Sequence, residues 1–112
     1  MEIENYERLI AKLEKIAAIK VTNGITKGCL RVVRTAKEIV PVDTGMLRNS
    51  ITYEVEGNVG SVGSALEYAP NVELGIKQKP QPYLQPSLEI NRDAILKDIQ
   101  EDYASQIKEV TL

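Results

Sequence analysis

At 112 residues, 43% apolar and 27% charged, the chain reads as one soluble domain able to bury roughly two-thirds of its unfolded surface. A net charge of −2 with no basic run argues against nucleic acid, sequence-specific binding included, as its main ligand. Histidine is absent and Cys29 is the single cysteine, so the commonest general base, the commonest metal ligand and an internal disulfide all drop out.

No apolar run approaches the ~20 residues of a membrane span, and Met1-Glu2-Ile3-Glu4 reads as neither a signal peptide nor a transmembrane segment. The first helix is expected over about residues 5–19. Tyr6, Leu9, Leu13 and Ile16 form an amphipathic stripe there, with acids near the start and lysines towards the end. Thr22, Asn23 and Gly24 interrupt it, and Thr22 or Asn23 can cap a second helix running to about Val40. Ile25, Cys29, Val32, Val33, Ala36, Ile39 and Val40 make that helix's apolar face, which places Cys29 in the core as a small hydrophobe. A kinked rod is the alternative; two helices are favoured.

Pro41 cannot continue the helix, because it lacks an N–H and its ring clashes one turn back. Asp43 and Thr44 carry short side-chain oxygens suited to capping a new turn, and Gly45 tolerates unusual backbone angles. Ile51, Tyr53 and Val55 then alternate with polar residues as in a half-buried strand, and Gly57-Asn58 signals a turn into Val59–Ser64. Glycines 60 and 63 mark a bulge or a close approach within that second strand. The hairpin therefore covers about residues 50–64, with room for further strands. A short helical turn near Pro70 ends at Gly75, and Pro80, Pro82 and Pro86 keep the following loop extended. The last helix starts near Pro86 or Ser87 and covers about residues 87–109. Leu88, Ile95, Ile99, Tyr103, Ile107 and Val110 lie along one side, and Asp93 and Lys97 are expected to pair at i,i+4. The plan is α+β: helices over about 5–40, sheet and loops over 41–86, and a long C-terminal helix packed on a small antiparallel sheet.

Two blocks in this order carry a family resemblance. Pro41-Val42-Asp43-Thr44-Gly45-Met46-Leu47-Arg48-Asn49-Ser50-Ile51 resembles a P-x-D-T-G-x-L-R-x-S-I signature. Tyr68-Ala69-Pro70-Asn71-Val72-Glu73-Leu74-Gly75, with Pro80 to Leu88 after it, is similar to a Y-A-x-x-V-E-x-G … P-x-P-F-L-x-P-A stretch. Both belong to the HK97-like tailed-phage family of tail-completion, or head–tail joining, neck and minor tail proteins. Tyr83 stands where that family often has Phe, and Leu74 where an aromatic is frequent.

The resemblance implies a structural virion protein, phage- or prophage-encoded. It would be made in the host cytoplasm, seated at the head-proximal end of a tail, and bound to other tail and connector proteins. It also implies a homo-oligomeric ring, six-fold like the tail, with the chain able to remain monomeric until its partners are present. It brings no catalytic residue, cofactor or metal.

The triplet Asp43-Thr44-Gly45 echoes the aspartic proteases, whose chemistry needs two carboxylates sharing a proton. A homodimer would supply the second, but a helix precedes the triplet and Met46 follows it, so turn and capping chemistry is the better reading. Val59–Ser64 lacks the Gly-Lys-Ser/Thr ending of a phosphate-binding loop, and its functional reading is an edge strand, Val62 included, that pairs with a neighbouring subunit. Glu101 and Asp102 read as a solvated helix face. Arg48 and Glu73, the charged members of the two blocks, are expected to pair. The expected subunit and partner contacts are Asp43, Thr44, Arg48, Val62, Tyr68, Glu73 and Tyr83. An adaptor or stopper of the same joint, or a generic protein-binding module, is the alternative; a small dimeric aspartic hydrolase is the remote one.

Overall fold

The computed structural model describes residues 2–41, 45–66, 69–75 and 82–111. In chain order these form α1 (Glu2–Ala17), α2 (Thr22–Ile39), α3 (Gly45–Ser50), β1 (Thr52–Glu56), β2 (Val59–Gly63), α4 (Ala69–Leu74) and α5 (Leu84–Thr111). The architecture is α+β, with a two-stranded antiparallel sheet and a long C-terminal helix. α2 stops where Pro41 dictates: Val40 is extended at ψ 145°, the geometry a residue before proline prefers. The hairpin pairs Thr52 with Gly63 and Glu56 with Val59, closing through Gly57 at φ 60°. The register has no bulge at Gly60. That glycine is needed because a Cβ there would lie 2.6 Å from Ile25 Cγ2 and 2.7 Å from Cys29 Sγ.

α2 and α5 pack as the main pair. Gly24 and Gly28, one turn apart, let the backbones close in: a Cβ on Gly24 would sit 2.7 Å from the Asp98 carbonyl oxygen and 2.8 Å from Ile99 Cα. Gly24 thus belongs to the helix and serves its packing; it does not break it. α5 turns a polar row to this seam. Ser87, Asn91 and Asp98 are buried, whereas Leu88, Leu96 and Tyr103 are exposed. Of the apolar side expected along this helix, Leu88 and Tyr103 are thus exposed, while Ile95, Ile99, Ile107 and Val110 are half-buried and Ile95 packs on Gly28. Asn91 Nδ2 donates to Thr35 Oγ1 at 2.8 Å and to the Ser87 carbonyl at 2.7 Å. Arg31 donates twice to the Asp98 carboxylate, at 2.6 and 3.1 Å.

The start of α2 is capped from afar. Val21 at its N-cap makes no side-chain cap bond, and neither Thr22 nor Asn23 takes that role. The Gly24 N–H instead donates to Asp102 Oδ2 at 2.8 Å, satisfying one of the helix's orphan amides. The break between α1 and α2 is held by the hairpin tip and by α5. Val21 N–H donates to Asn58 Oδ1 at 2.8 Å, Thr22 Oγ1 to the Gly57 carbonyl at 3.0 Å, and Gln106 Nε2 to the Lys20 carbonyl at 2.8 Å.

α1 differs from expectation in its environment. Residues 7–15 are exposed throughout, with Leu9 at 51% and Leu13 at 54%. Leu9 and Leu13 of its stripe cover no core in this chain, and Ile16 at its base is half-buried. The molecule is correspondingly long, 69 × 21 × 19 Å, with a radius of gyration of 19.5 Å, against about 13 Å for a compact chain of this size. No helix among the described residues is long and apolar enough to cross a membrane.

The seam yields a test. Gly24→Ala should lower stability by about 1–3 kcal/mol, because the added methyl meets backbone that cannot rotate away. Gly63→Ala, whose Cβ meets nothing within 4 Å, should change stability by no more than about 0.5 kcal/mol. Urea unfolding of both variants measures the contrast.

Candidate functional site

The run at 41–51 and the block at 68–88 meet in one cluster. Leu47 and Ile51 come from the first, Ala69, Val72 and Tyr83 from the second, and Ala36 and Val40 from α2 complete it. α3 is one short amphipathic turn: Leu47 is fully buried while Met46 is 69% exposed and Arg48 is exposed beside it. Ser50 Oγ donates to the Leu47 carbonyl at 2.7 Å and shares a hydrogen bond with Ser64 Oγ. Ser64 Oγ in turn accepts the Leu66 N–H at 3.1 Å, which ties the corner to the segment entering α4.

Glu73 near the end of α4 is the chief polar residue of the corner. Its carboxylate accepts the N–H of Tyr83 at 2.9 Å, of Leu84 at 2.9 Å and of Gln85 at 3.3 Å. These are the first amides of α5, which have no partner within the helix, and a negative charge there also suits the helix dipole. Gly75 at φ 75° turns the chain out of α4 directly after it. Pro86 falls in the first turn of α5, where its missing N–H costs nothing, so the helix begins at Leu84 and not near Ser87.

The remaining polar centre is the Arg31–Asp98 pair. Asp98 is 7% exposed. The hydrogen bonds and charge of the Arg31 guanidinium hold its carboxyl below the usual carboxylate range, outweighing burial, which acts the other way. Beside the seam lies an apolar cavity of about 460 Å³ between α2, β2 and α5, walled by Ile25, Cys29, Val32, Val62, Leu88 and Ile95. Burial pushes the Cys29 thiol up, away from the reactive thiolate. Among the described residues no group of His, Cys, Asp or Glu is placed to hold a metal ion.

The family model for the bacteriophage HK97-gp10 tail-component matches residues 7–75. The chain belongs to the HK97-gp10-like family. No curated protein and no solved structure matches it. In this HK97-gp10-like chain the match runs from α1 to Gly75. It takes in the whole corner up to Glu73 and ends before the helix that Glu73 caps.

The structure distributes the expected contact residues unevenly. Asp43, Thr44 and Tyr68 lie outside the described residues. Arg48 is exposed on α3, and Val62 is half-buried against the core cluster. Tyr83, expected as a loop residue at a partner contact, lies just before α5 but is 1% exposed and fills the core.

Several expected polar pairings are corrected. Arg48 and Glu73 do not pair: the ion pairs among the described residues are Arg31–Asp98 and Lys97–Glu101, and Glu73 faces backbone amides. The i,i+4 pair on α5 is Lys97–Glu101 at 4.0 Å, not Asp93–Lys97. Asp102 is not a solvated bystander, since it caps α2 and also accepts from Gln106 at 2.9 Å. Sequence reasoning missed Asp98, Asn91 and Asn58. The available signal was the polar row Ser87, Asn91, Asp98 and Asp102, whose spacing places it on one face of a helix.

Two outcomes follow. Glu73→Ala should destabilise the chain by about 2–3 kcal/mol, since it strips a charged acceptor from several amides at once, and Glu73→Gln should lose less; thermal melts of the two variants measure this. Asp98 has a lowered folded pKa, so its contribution to stability is fully present above about pH 4, the unfolded aspartate value, and is lost as pH falls through the folded value. Denaturant midpoints measured across the acid range should therefore fall less steeply for Asp98→Asn than for the parent chain.

Proposed function

We propose that the chain is a tail-completion or head–tail joining subunit, one α+β domain acting at the head-proximal end of a phage tail and binding its neighbours there. The observation that carries this reading is how much apolar surface one copy leaves uncovered. Leu9, Ile10, Leu13, Met46, Leu74, Leu88, Ile90 and Leu96 are all about half exposed or more in this tail-component family member. Uncovered apolar surface on this scale marks protein contact. The corner offers a contact surface of its own: Met46 and Arg48 on α3 and Leu74 at the end of α4 face outward over a core made by both signature blocks.

On this reading Arg48 is a partner contact, and Val62 belongs to a strand whose outer edge a neighbouring subunit can pair. Glu73 and Tyr83 serve the contact indirectly by holding α5 against the corner. The role is mechanical, and the protein is a structural component of the virion and not an enzyme.

Deleting the gene from its phage or prophage and supplying it in trans tests the assignment. Loss should leave filled heads and tails that fail to join, visible by electron microscopy, and the wild-type chain should restore infectious particles. Arg48→Glu should fold normally yet restore titre at least tenfold less well. Normal particles without the gene would sink the assignment.

A further inference from the structure

We propose that the apolar stripe of α1 docks into the α2–β2–α5 groove of a neighbouring copy of this chain. The inference rests on the reading of the chain as an assembling subunit and names the contact that would build the assembly.

α1 is a helix without a hydrophobic reason to form in the single chain. Isolated helices of about this length are marginal in water, and helices in proteins draw their stability from a covered amphipathic face. Here Leu9, Ile10 and Leu13 are each more than half exposed, and Ile16 at the base is half-buried. These four positions form one stripe, as spacings of three and four require. Glu7 and Glu14, two turns apart and exposed, edge the stripe on one side, and Lys12 edges it on the other.

The same chain carries a matching hollow. The apolar cavity of about 460 Å³ beside α2 continues through Leu88 and Ile95 into a second hollow on α5, about 400 Å³, that reaches Leu96. The two make one apolar strip along α5. Glu89 and Arg92 both line it, and Asp93 is exposed beside Glu89 on the same side of the helix. One edge is complementary in charge: Lys12 on α1 matches Glu89 and Asp93, which flank the strip on α5. Charge matching of this kind fixes register and partner in helix-in-groove contacts.

The two surfaces do not meet within one chain. Residues 19–22 are tied down by Asn58, Gly57 and Gln106; Asn58 also lines the near end of the groove, while Gln106 lies about 27 Å along the α5 axis from Leu88 at its far end. α1 leaves the clamp with residues 7–15 open to solvent. A surface and its complement at different places on one protomer define a heterologous contact, which repeats from copy to copy and closes into a ring or runs on as a chain.

The test uses the full chain with Cys29→Ala, so that introduced thiols are the only ones. Leu13→Cys and Leu88→Cys chains are oxidised separately and as a mixture, and mass is measured by native mass spectrometry. The mixture should give a disulfide-linked dimer at least tenfold above either variant alone, and a chain bearing both cysteines should give intermolecular ladders. Leu13→Glu should weaken self-association at least tenfold, and so should Lys12→Glu, with Glu89→Lys plus Asp93→Lys restoring the latter.

If the parent chain assembles but shows no Leu13–Leu88 link, or Leu13→Glu assembles unchanged, the contact is overturned while the subunit assignment stands. A link formed within one chain also overturns it, in favour of α1 folding back. A chain that stays monomeric and unlinked at its solubility limit overturns it as well. The joining role itself is judged separately, by the complementation experiment.

Discussion

Everything in this structure hangs on the close approach of α2 and α5. Two glycines on α2 remove the side chains that would hold the helices apart, and α5 answers with a polar row together with Ile95, whose side chain packs on Gly28. A polar row is tolerable there because its members are satisfied. Asn91 reaches Thr35 and the Ser87 carbonyl, Asp98 receives the Arg31 fork, and among the described residues no buried side-chain nitrogen or oxygen lacks a partner. Buried polar contacts of this sort specify register more than they add stability. With the polar row and Ile95 set against α2, Leu88 and Leu96 are left exposed, and that orientation creates the groove and the exposed strip.

The second organising device is capping across distance. α2 begins on the carboxylate of Asp102, from the other end of the chain, and α5 begins on that of Glu73. Each helix start is thereby conditional on a tertiary contact. The corner and the seam are coupled for this reason: Glu73 starts the helix whose later residues, Asp98 and Asp102, lock α2 in place.

Much of the fold was legible. Pro41 marks the end of α2, the alternation from Ile51 and the Gly57-Asn58 turn mark the hairpin, and Gly75 marks the end of α4, because each is a local backbone rule. The family was legible too, because its two blocks keep their order and spacing. What escaped was what depends on a partner distant in sequence. Thr22 and Asn23 look like caps, yet Asp102 takes the Gly24 amide. Tyr83 looks like an exposed loop tyrosine, yet among the described residues it is the largest fully buried side chain. The helical stripes of α1 and α5 were read correctly as stripes. Periodicity reveals that a face is apolar; it is silent on whether the covering surface is in the same chain.

The hairpin tip sets the precision with which α1 is aimed. Asn58 grips the helix break with both ends of its amide, accepting from Val21 and donating to the Ile19 carbonyl, and α1 extends 16 residues from that grip. At 1.5 Å per residue the arm is about 24 Å long, so a 10° error at its base moves the tip by about 4 Å, close to the spacing of neighbouring side chains. One asparagine in a two-residue turn thus acts as the bearing of a lever, and its rigidity bounds the angular spread of the whole helix.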